Sequence, residues 1–490
     1  MKPTPPPTRA APGRHVYDVI VMGGQLGGAL TAALLARRGI KVLLVPHDGL
    51  GSPYIHQGFL LPLAPFVMPP VKAVDAFEEA LAELGLTVPV HRALGRPALQ
   101  LLTPGNWFEL RSEPKERAVE LKRALGARGA DFEASWQGAV AAADASNAFF
   151  KAKIDIPPEG VLGRWRLNRQ LPRFTGMEVG TPLPEGSTLR SLLPFAAPVA
   201  QPGPLTTARA LGRLLAWPSV YPGGREGLYQ LFAERARELG ADVMGPSDVV
   251  EQLAFRGSSA SSVRLGGSLV SYRAEQFVVA MDLEALAPLV PESRQATIKR
   301  LSAQVPVKKR LFTVNTVLPE AALPPGLGTL ALIDVGPGVL LQVTPARGPA
   351  VDAEKTGLKV LTATMETSQP LKPGDEAAIR AQTERVWKIL EEVLPFSRRR
   401  ARLESTPWLH APAIIDGRGE PSALFELPAD SWFGVTGIHP QSPLRRLLFA
   451  SRQVLPGLGL EGEVLAAMRV TDRIDRVLKR NDPLRARKTA

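Results

Sequence analysis

A strand pattern, a glycine-rich turn and a helical pattern follow one another near the start of the chain. Residues 16–22 (VYDVIVM) are apolar and β-branched, which predicts a buried strand ending at the glycines of GGQLGG. Apolar residues recur at helical spacing from Leu26 to Leu34, Gly39 is placed to end the helix, and residues 41–45 (KVLLV) predict a second strand. Strand, helix and strand within about 30 residues form a βαβ unit with parallel strands. The unit predicts the first half of a dinucleotide-binding sheet.

The rest of the chain predicts two interleaved domains, because 490 residues exceed what one hydrophobic core usually serves. An α/β pattern returns at 221–243 and at 447–474, whereas proline interrupts many of the apolar stretches between 53 and 215. A long helix is predicted over 375–394. We expect a Rossmann-like, three-layer α/β domain that binds a dinucleotide, interleaved with an α+β substrate domain. The predicted bounds are a proline-rich leader at 1–15, a first domain at 16–70, 216–304 and 429–478, a second domain at 71–215 and 305–428, and a basic tail at 479–490.

The composition removes several kinds of chemistry. The chain has no cysteine, which excludes disulfides, thiolate metal sites and a cysteine nucleophile. Its six histidines are scattered and lack the paired spacing of a zinc site, so we expect no metal. Redox chemistry in such a chain needs a bound organic cofactor.

The charge balance is basic, with a formal net charge of +12 at pH 7. No basic motif with interleaved aromatic residues accompanies this charge, so we expect no nucleic-acid binding, and an anionic membrane surface is the favoured macromolecular contact. No apolar run is long enough to span a bilayer, and the first residues lack the apolar core of a secretory signal. We therefore expect a cytoplasmic protein, with peripheral membrane association as a compatible addition.

Three separated segments, in this order, resemble the phytoene desaturase and flavin amine oxidase group of FAD-dependent oxidoreductases: residues 17–45, 221–243 and 447–467. The resemblance implies FAD as cofactor and hydride transfer to the flavin from an apolar substrate, either isoprenoid-like or an amine. It implies no particular catalytic side chain, because in such enzymes the cofactor carries the reaction.

The resemblance also implies which residues contact FAD. The first turn approaches the pyrophosphate, the end of the second strand holds the ribose, and the last glycine turn begins the helix beside the flavin ring. The residues at these positions, together with one on the adenine side, are Gly23, Gly24, Gln25, Leu26, Gly27, Gly28, Pro46, Asp48, Val250, Ser451, Arg452, Pro456, Gly457 and Gly459.

Several of these positions depart from the pattern of the group. Gln25 stands where the second glycine of G-x-G-x-x-G belongs, and Pro46 stands where a carboxylate grips the ribose. Asp48 replaces that carboxylate only if the chain bends there. Ser451 replaces a glycine, and Arg452 replaces a small residue. Two hypotheses follow: a turn that still binds FAD, or a plain strand-to-helix turn.

The second hypothesis corresponds to a different class of protein. The Rab GDP-dissociation inhibitors look like FAD oxidoreductases but bind prenylated proteins, and a chain of that kind has lost FAD and binds a lipid or a protein partner. The apolar, proline-broken segment 59–71 then either lines a site for an apolar ligand or packs between the domains.

Overall fold

The computed structural model of the chain describes residues 15–46, 53–69, 74–87, 99–103, 106–111, 113–152, 154, 156–173, 188–216, 221, 223–245, 248–268, 270–335, 338–349, 357–367, 371–372, 374–411 and 423–481.

Strands and helices alternate at both ends of the chain, and helices dominate its middle. The strands are β1 Val16–Met22, β2 Val42–Val45, β3 Tyr54–His56, β4 Phe59–Leu61, β5 Leu99–Thr103, β6 Asn106–Leu110, β7 Asp242–Val243, β8 Val250–Arg256, β9 Ser259–Leu265, β10 Ser271–Val279, β11 Val307–Pro319, β12 Leu330–Ile333, β13 Val339–Pro345, β14 Leu358–Thr367, β15 Leu403–Ser405, β16 Ala423–Phe425 and β17 Leu447–Phe449. The helices are α1 Leu26–Arg37, α2 Asp75–Leu84, α3 Pro114–Leu125, α4 Arg128–Ala145, α5 Asn147–Lys151, α6 Gly160–Gln170, α7 Leu193–Ala196, α8 Pro204–Thr206, α9 Gly212–Ala216, α10 Gly224–Glu238, α11 Leu283–Leu286, α12 Glu292–Ser302, α13 Glu376–Val393, α14 Pro407–His410 and α15 Leu460–Asn481.

The first domain is built on a seven-stranded sheet of order β7-β2-β1-β10-β9-β8, with β17 also paired to β10. The pairs β1–β2, β1–β10, β2–β7 and β10–β17 are parallel. In the register, Met22 lies beside Val45 and Val279, and Val279 lies beside Phe449. The carboxyl ends of β1, β2, β10 and β17 are therefore level. The fold class predicted from the βαβ pattern is confirmed.

Helices cover one face of this sheet, where α1 packs between α10 and α15. Val19 and Val21 of β1 point into that layer, while Ile20 and Met22 join the core on the opposite face. Both faces of the parallel strands are covered, which explains why β2 is apolar at all four positions.

The second domain is built on an eight-stranded, mostly antiparallel sheet of order β15-β11-β14-β13-β12-β5-β6, with β16 paired to β11. Helix α13 packs on one face through residues such as Val386 and Trp387. Helices from the middle of the chain pack on the other face, where Trp136 of α4 joins the core. Among the described helices, none is both long and apolar enough to cross a membrane.

The packing places two stretches of the predicted second domain on the first domain. Phe77 of α2 packs in the layer formed by α1 and α15. Phe149, Ile156 and Leu167 pack into the core on the other face of the first sheet. The predicted bounds of 71–215 therefore need correction, because an amphipathic pattern shows that a face is buried but not which surface buries it.

Candidate functional site

The glycine-rich turn lies at the level carboxyl ends of β1, β10 and β17. Gln25 N donates to the Ala280 carbonyl (3.1 Å), and Ala450 N donates to the Val279 carbonyl (2.9 Å). The structure thus brings the turn together with Ser451 and Arg452, as the sequence suggested, and adds the segment after β10, which the sequence did not suggest.

Three glycines of this turn, Gly23, Gly27 and Gly28, make close contacts with the segments that follow the neighbouring strands. Gly23 has φ +119°, and a Cβ atom there would lie 2.1 Å from the Ala280 carbonyl oxygen. A Cβ atom on Gly27 would lie 2.3 Å from the Ala450 carbonyl oxygen, and one on Gly28 would lie 2.5 Å from the Ala280 Cβ. Packing of α1 on the sheet therefore requires these three glycines whether or not a ligand is bound.

Gln25 occupies the position of the second glycine of G-x-G-x-x-G, where a glycine would leave room for the ligand. The residue is only 1% exposed. Its Nε2 donates to Asp282 Oδ1 (2.7 Å), and its Oε1 accepts from Arg452 N (2.9 Å). Both ends of the Gln25 side-chain amide are thus hydrogen-bonded. These bonds connect the segments that follow β1, β10 and β17.

Arg452 and Asp282 form a buried bidentate ion pair beside Gln25. Arg452 Nε lies 3.0 Å from Asp282 Oδ1, and Arg452 Nη2 lies 2.5 Å from Asp282 Oδ2. The two residues are 6% and 4% exposed, so water screens the pair little. The Arg452 guanidinium also stacks on the Phe425 ring of the second domain, 5.2 Å from its centre. We call Gln25, Asp282 and Arg452 the turn cluster.

Two neighbours of Arg452 complete this region. Gln453 is fully buried, and its Oε1 accepts from Leu283 N (2.8 Å), which fastens the start of α11. Within the described part of the chain, the buried Ser451 Oγ has no hydrogen-bond partner.

The remaining residues that the sequence predicted to contact FAD outside the two glycine turns are Pro46, Asp48 and Val250. Pro46 follows β2 and is buried, but it carries no carboxylate, and Asp48 lies outside the described residues. Val250 begins β8 and belongs to the core on the face of the sheet opposite α1. β9 and β10 separate β8 from β1, and the contact of Val250 with the adenine side of FAD stays a prediction.

A cavity of about 140 Å³ lies between the two domains. Its walls are largely apolar and include Phe66, Phe195 and Leu340, and Leu458 and Gly459 line it where the chain enters α15. The segment 63–67, part of the apolar stretch 59–71, therefore borders a ligand-sized space.

The last glycine turn is held by close packing. Residues Pro456–Leu458 form a 3₁₀ turn before α15. A Cβ atom on Gly457 would lie 2.5 Å from Val435 Cα, and one on Gly459, which has φ +57°, would lie 2.1 Å from the Ala196 carbonyl oxygen. As in the first turn, the backbone contacts explain these glycines.

Acidic side chains at the start of α15 are paired with buried or half-buried arginines. The Glu461 carboxylate accepts two hydrogen bonds from the Arg209 guanidinium, from Nε at 2.7 Å and from Nη2 at 2.6 Å. Both residues are buried. Arg209 also donates to Ser146 Oγ (2.7 Å). Glu463 pairs with Arg225 at 2.5 Å. These pairs fix the N-terminus of α15, where carboxylates are favoured, at the edge of the cavity.

Glu226 is the acid of the cavity wall that takes part in none of the described ion pairs. It lies on α10 and is buried. Burial raises the pKa of Glu226 to about 7, and hydrogen bonds from its own backbone N–H and that of Leu63, together with the nearby Arg225, oppose that rise only partly. The carboxyl is therefore present in both protonation states near neutral pH.

Sequence reasoning missed Asp282, Arg209, Glu226 and Glu461. Asp282 follows β10 by three residues, and the apolar run at the end of that strand is a signal that could have been used. The others carry no local signal, because Arg209 and Glu461 acquire their roles from each other, 252 positions apart, and Glu226 acquires its role from burial.

Comparison with known proteins supports the fold. No protein-family model matches the chain, and no curated protein matches it. Solved structures do match. An oxidoreductase from Methanosarcina mazei is 14% identical, with 93% of this chain and 100% of that chain covered and a TM-score of 0.58.

Two amine oxidases also match over nearly the whole chain. Cyclohexylamine oxidase from Brevibacterium oxydans is 15% identical, with 94% and 99% of the two chains covered and a TM-score of 0.51. Putrescine oxidase bound to putrescine is 15% identical, with 94% and 99% covered and a TM-score of 0.52. At such identity the likeness establishes the fold, which is the two-domain α/β fold of these oxidoreductases.

The residues at the turn do not fit FAD. A pyrophosphate at the N-terminus of α1 needs open space beside the turn and has two negative charges to neutralise. The turn cluster instead fills the ends of the strands, and it places the Asp282 carboxylate there with its charge already matched by Arg452. Pro46 offers the ribose no acceptor side chain. The chain keeps Gly23, Gly27 and Gly28, which packing requires. It has Gln25 at the position where a glycine would leave room for the pyrophosphate.

Proposed function

We propose that the chain is a ligand-binding protein with an oxidoreductase fold, that it holds no FAD at its glycine-rich turn, and that its ligand is a compact apolar molecule. The turn cluster carries this proposal, since the Gln25 and Arg452 side chains both donate to the Asp282 carboxylate, and Gln25 also accepts from Arg452 N, where a dinucleotide would bind. The proposal shares the loss of FAD with the non-catalytic alternative that the departures at Gln25, Pro46 and Ser451 suggested, but it replaces the lipid or protein partner of that alternative with a small ligand.

The cavity between the domains indicates the chemistry of the ligand. Its volume of about 140 Å³ is close to that of an engineered apolar cavity, about 150 Å³, that binds benzene. Its arginines are matched by acids, whereas Glu226 has no such partner in the described ion pairs. We therefore propose a ring-sized apolar group with one basic or hydrogen-bonding substituent, bound with that substituent on Glu226.

The absorbance of the purified chain tests the first part of the proposal. We expect a colourless protein whose melting temperature does not change with excess FAD, because a ligand that binds the native state raises that temperature. The variant Gln25→Gly with Pro46→Glu and Asp282→Ser opens the turn, restores a ribose acceptor and leaves Arg452 to pair with phosphate. It should gain FAD binding. A yellow wild-type preparation would refute the proposal.

Cyclohexylamine tests the second part, because it combines a six-carbon ring with one basic group. We expect it to raise the melting temperature more at pH 8 than at pH 6, since Glu226 is mostly ionised only above its pKa of about 7. Glu226→Gln should lose this pH dependence. The same small shift in both proteins at both pH values would disprove binding through Glu226.

The second candidate function is the one implied by the sequence resemblance: an FAD-dependent oxidoreductase that transfers hydride from an apolar or amine substrate to flavin. Two observations favour it, namely the fold shared with solved oxidoreductases and the buried Ser451 Oγ that lacks a partner among the described residues. Flavin absorbance near about 370 and 450 nm, at about one flavin per chain, would establish this candidate in place of the first.

A further inference from the structure

Helix α6 exposes an unusual amount of apolar surface. Among the described residues, eight large apolar side chains are exposed. Three of them lie on this helix, in the stretch 161–165. Val161 is 83% exposed, Leu162 is 70% exposed and Trp165 is 56% exposed. Exposed apolar residues are ordinary when single, whereas a cluster on one element indicates a contact surface.

The three residues form one face of α6. At about 100° per residue, Val161, Trp165 and Leu162 fall within an arc of about 100°. Leu167 lies on the opposite side and is buried in the core of the first domain. Arg164 and Arg166 border the apolar arc on its two sides, and both are exposed. We call this face the α6 patch.

The helix is firmly held to the first domain. Glu159, just before α6, pairs with Arg473 of α15 at 2.8 Å. Arg469 of α15 donates to the Ile154 carbonyl (2.9 Å) and to the Ile156 carbonyl. Because these contacts and Leu167 fix its inner side, the outward direction of the patch is a property of the fold.

The charge around the patch has one sign. Residues 160–173 (GVLGRWRLNRQLPR) contain four arginines and no acid. None of the four is paired with a carboxylate among the described ion pairs, and Arg169 stacks on the Trp165 ring at 5.4 Å. Glu159, the nearest acid along the chain, is already neutralised by Arg473.

From this arrangement we infer that the α6 patch docks on the surface of an anionic lipid bilayer. Trp165 and the two aliphatic side chains enter the boundary between headgroups and acyl chains, and the bordering arginines contact the lipid phosphates. A tryptophan ring suits this boundary because it is apolar with one polar edge. The inference is independent of the ligand in the cavity and of FAD.

Sedimentation of the full chain with vesicles tests the inference. We expect binding to phosphatidylcholine vesicles that contain phosphatidylglycerol and little binding to phosphatidylcholine alone. Arg164→Gln with Arg166→Gln should lower the partition coefficient roughly 25-fold, since each basic residue near an anionic surface contributes roughly five-fold. Arg385→Gln with Lys388→Gln removes the same charge from exposed positions on α13 and should have little effect.

The apolar residues need a separate variant. Val161→Ser with Leu162→Ser and Trp165→Ser should lower partitioning at least roughly tenfold. Val119→Ser with Phe396→Ser removes comparably exposed apolar side chains elsewhere and serves as its control. Equal losses in patch and control variants would overturn the inference, as would no vesicle binding by the wild-type chain. A wild-type dimer that the apolar variant dissociates would assign the patch to a second copy instead.

Discussion

Replacing Arg452 by leucine tests whether the turn cluster is a closed, buried unit. The substitution removes one partner of an ion pair whose members are 6% and 4% exposed and leaves the Asp282 carboxylate without its cation. Breaking a buried pair in this way costs about 3–5 kcal/mol. Gln25 Nε2 still donates to Asp282, so we expect the lower end of this range, about 3 kcal/mol.

Two further variants separate burial of charge from loss of packing. The double variant Arg452→Leu with Asp282→Leu removes both charges, so the main remaining cost is the lost hydrogen bond from Gln25 Nε2 to Asp282, about 1 kcal/mol, because Gln25 Oε1 still accepts from the backbone N of residue 452. We expect it to be more stable than either single variant. Arg380→Leu removes one partner of an exposed pair with Glu376 and should cost no more than about 1 kcal/mol.

Urea unfolding followed by tryptophan fluorescence measures these differences in the free energy of unfolding. The reasoning is refuted if Arg452→Leu costs no more than Arg380→Leu. That result would mean that water reaches the Arg452–Asp282 pair, and hence that the end of the strands is open to a ligand. The proposal that FAD is excluded from the turn would then lose its basis.

Three other predictions concern separate parts of the chain. Gly27→Ala should destabilise the fold by about 1–3 kcal/mol, because its Cβ would lie 2.3 Å from the Ala450 carbonyl oxygen. Gly138→Ala, in open space on α4, should stabilise the fold by about 0.5–1 kcal/mol. Urea unfolding of both variants checks that the two effects have opposite signs. Burial raises the pKa of Glu226 from 4.5 to about 7, so the folded state retains a proton that the unfolded state loses, and stability falls as pH rises between these values by roughly 3 kcal/mol. Glu226→Gln should remove that fall, and identical pH profiles of unfolding would contradict it. Burial, and secondarily the stacked His56 ring 3.7 Å away, lower the pKa of His410, so His56→Phe should raise that pKa in an NMR titration.

The sequence predicted elements whose pattern depends on local neighbours. The βαβ unit and the helix over 375–394 both have a local signal of this kind. The helix is observed at Glu376–Val393, with Asp375 accepting from Ala378 N (3.1 Å) as its N-cap. The fold class followed from these elements because parallel βαβ units close in few ways.

The middle of the chain and the turn cluster were not predictable in the same manner. Helix α4 packs against α3 and α9 at once, so its apolar residues do not form a single stripe. Gln25 and Asp282 are 257 positions apart, and no local pattern shows that they meet. The departures at Gln25 and Arg452 were visible as departures, but only the structure shows that Gln25 Oε1 accepts from Arg452 N and that both side chains donate to Asp282.

The order of the strands in the first sheet has a consequence for biosynthesis. β17 and α15 come from the last residues of the chain, yet they complete a sheet and cover a helix that began near its first residues. A nascent chain that ends before residue 447 therefore has a bare flank on α1 and an unpaired edge on β10. A fragment that ends before residue 447 should therefore not be stable, and a growing chain must keep this surface from aggregating until residues 447–481 have been synthesised.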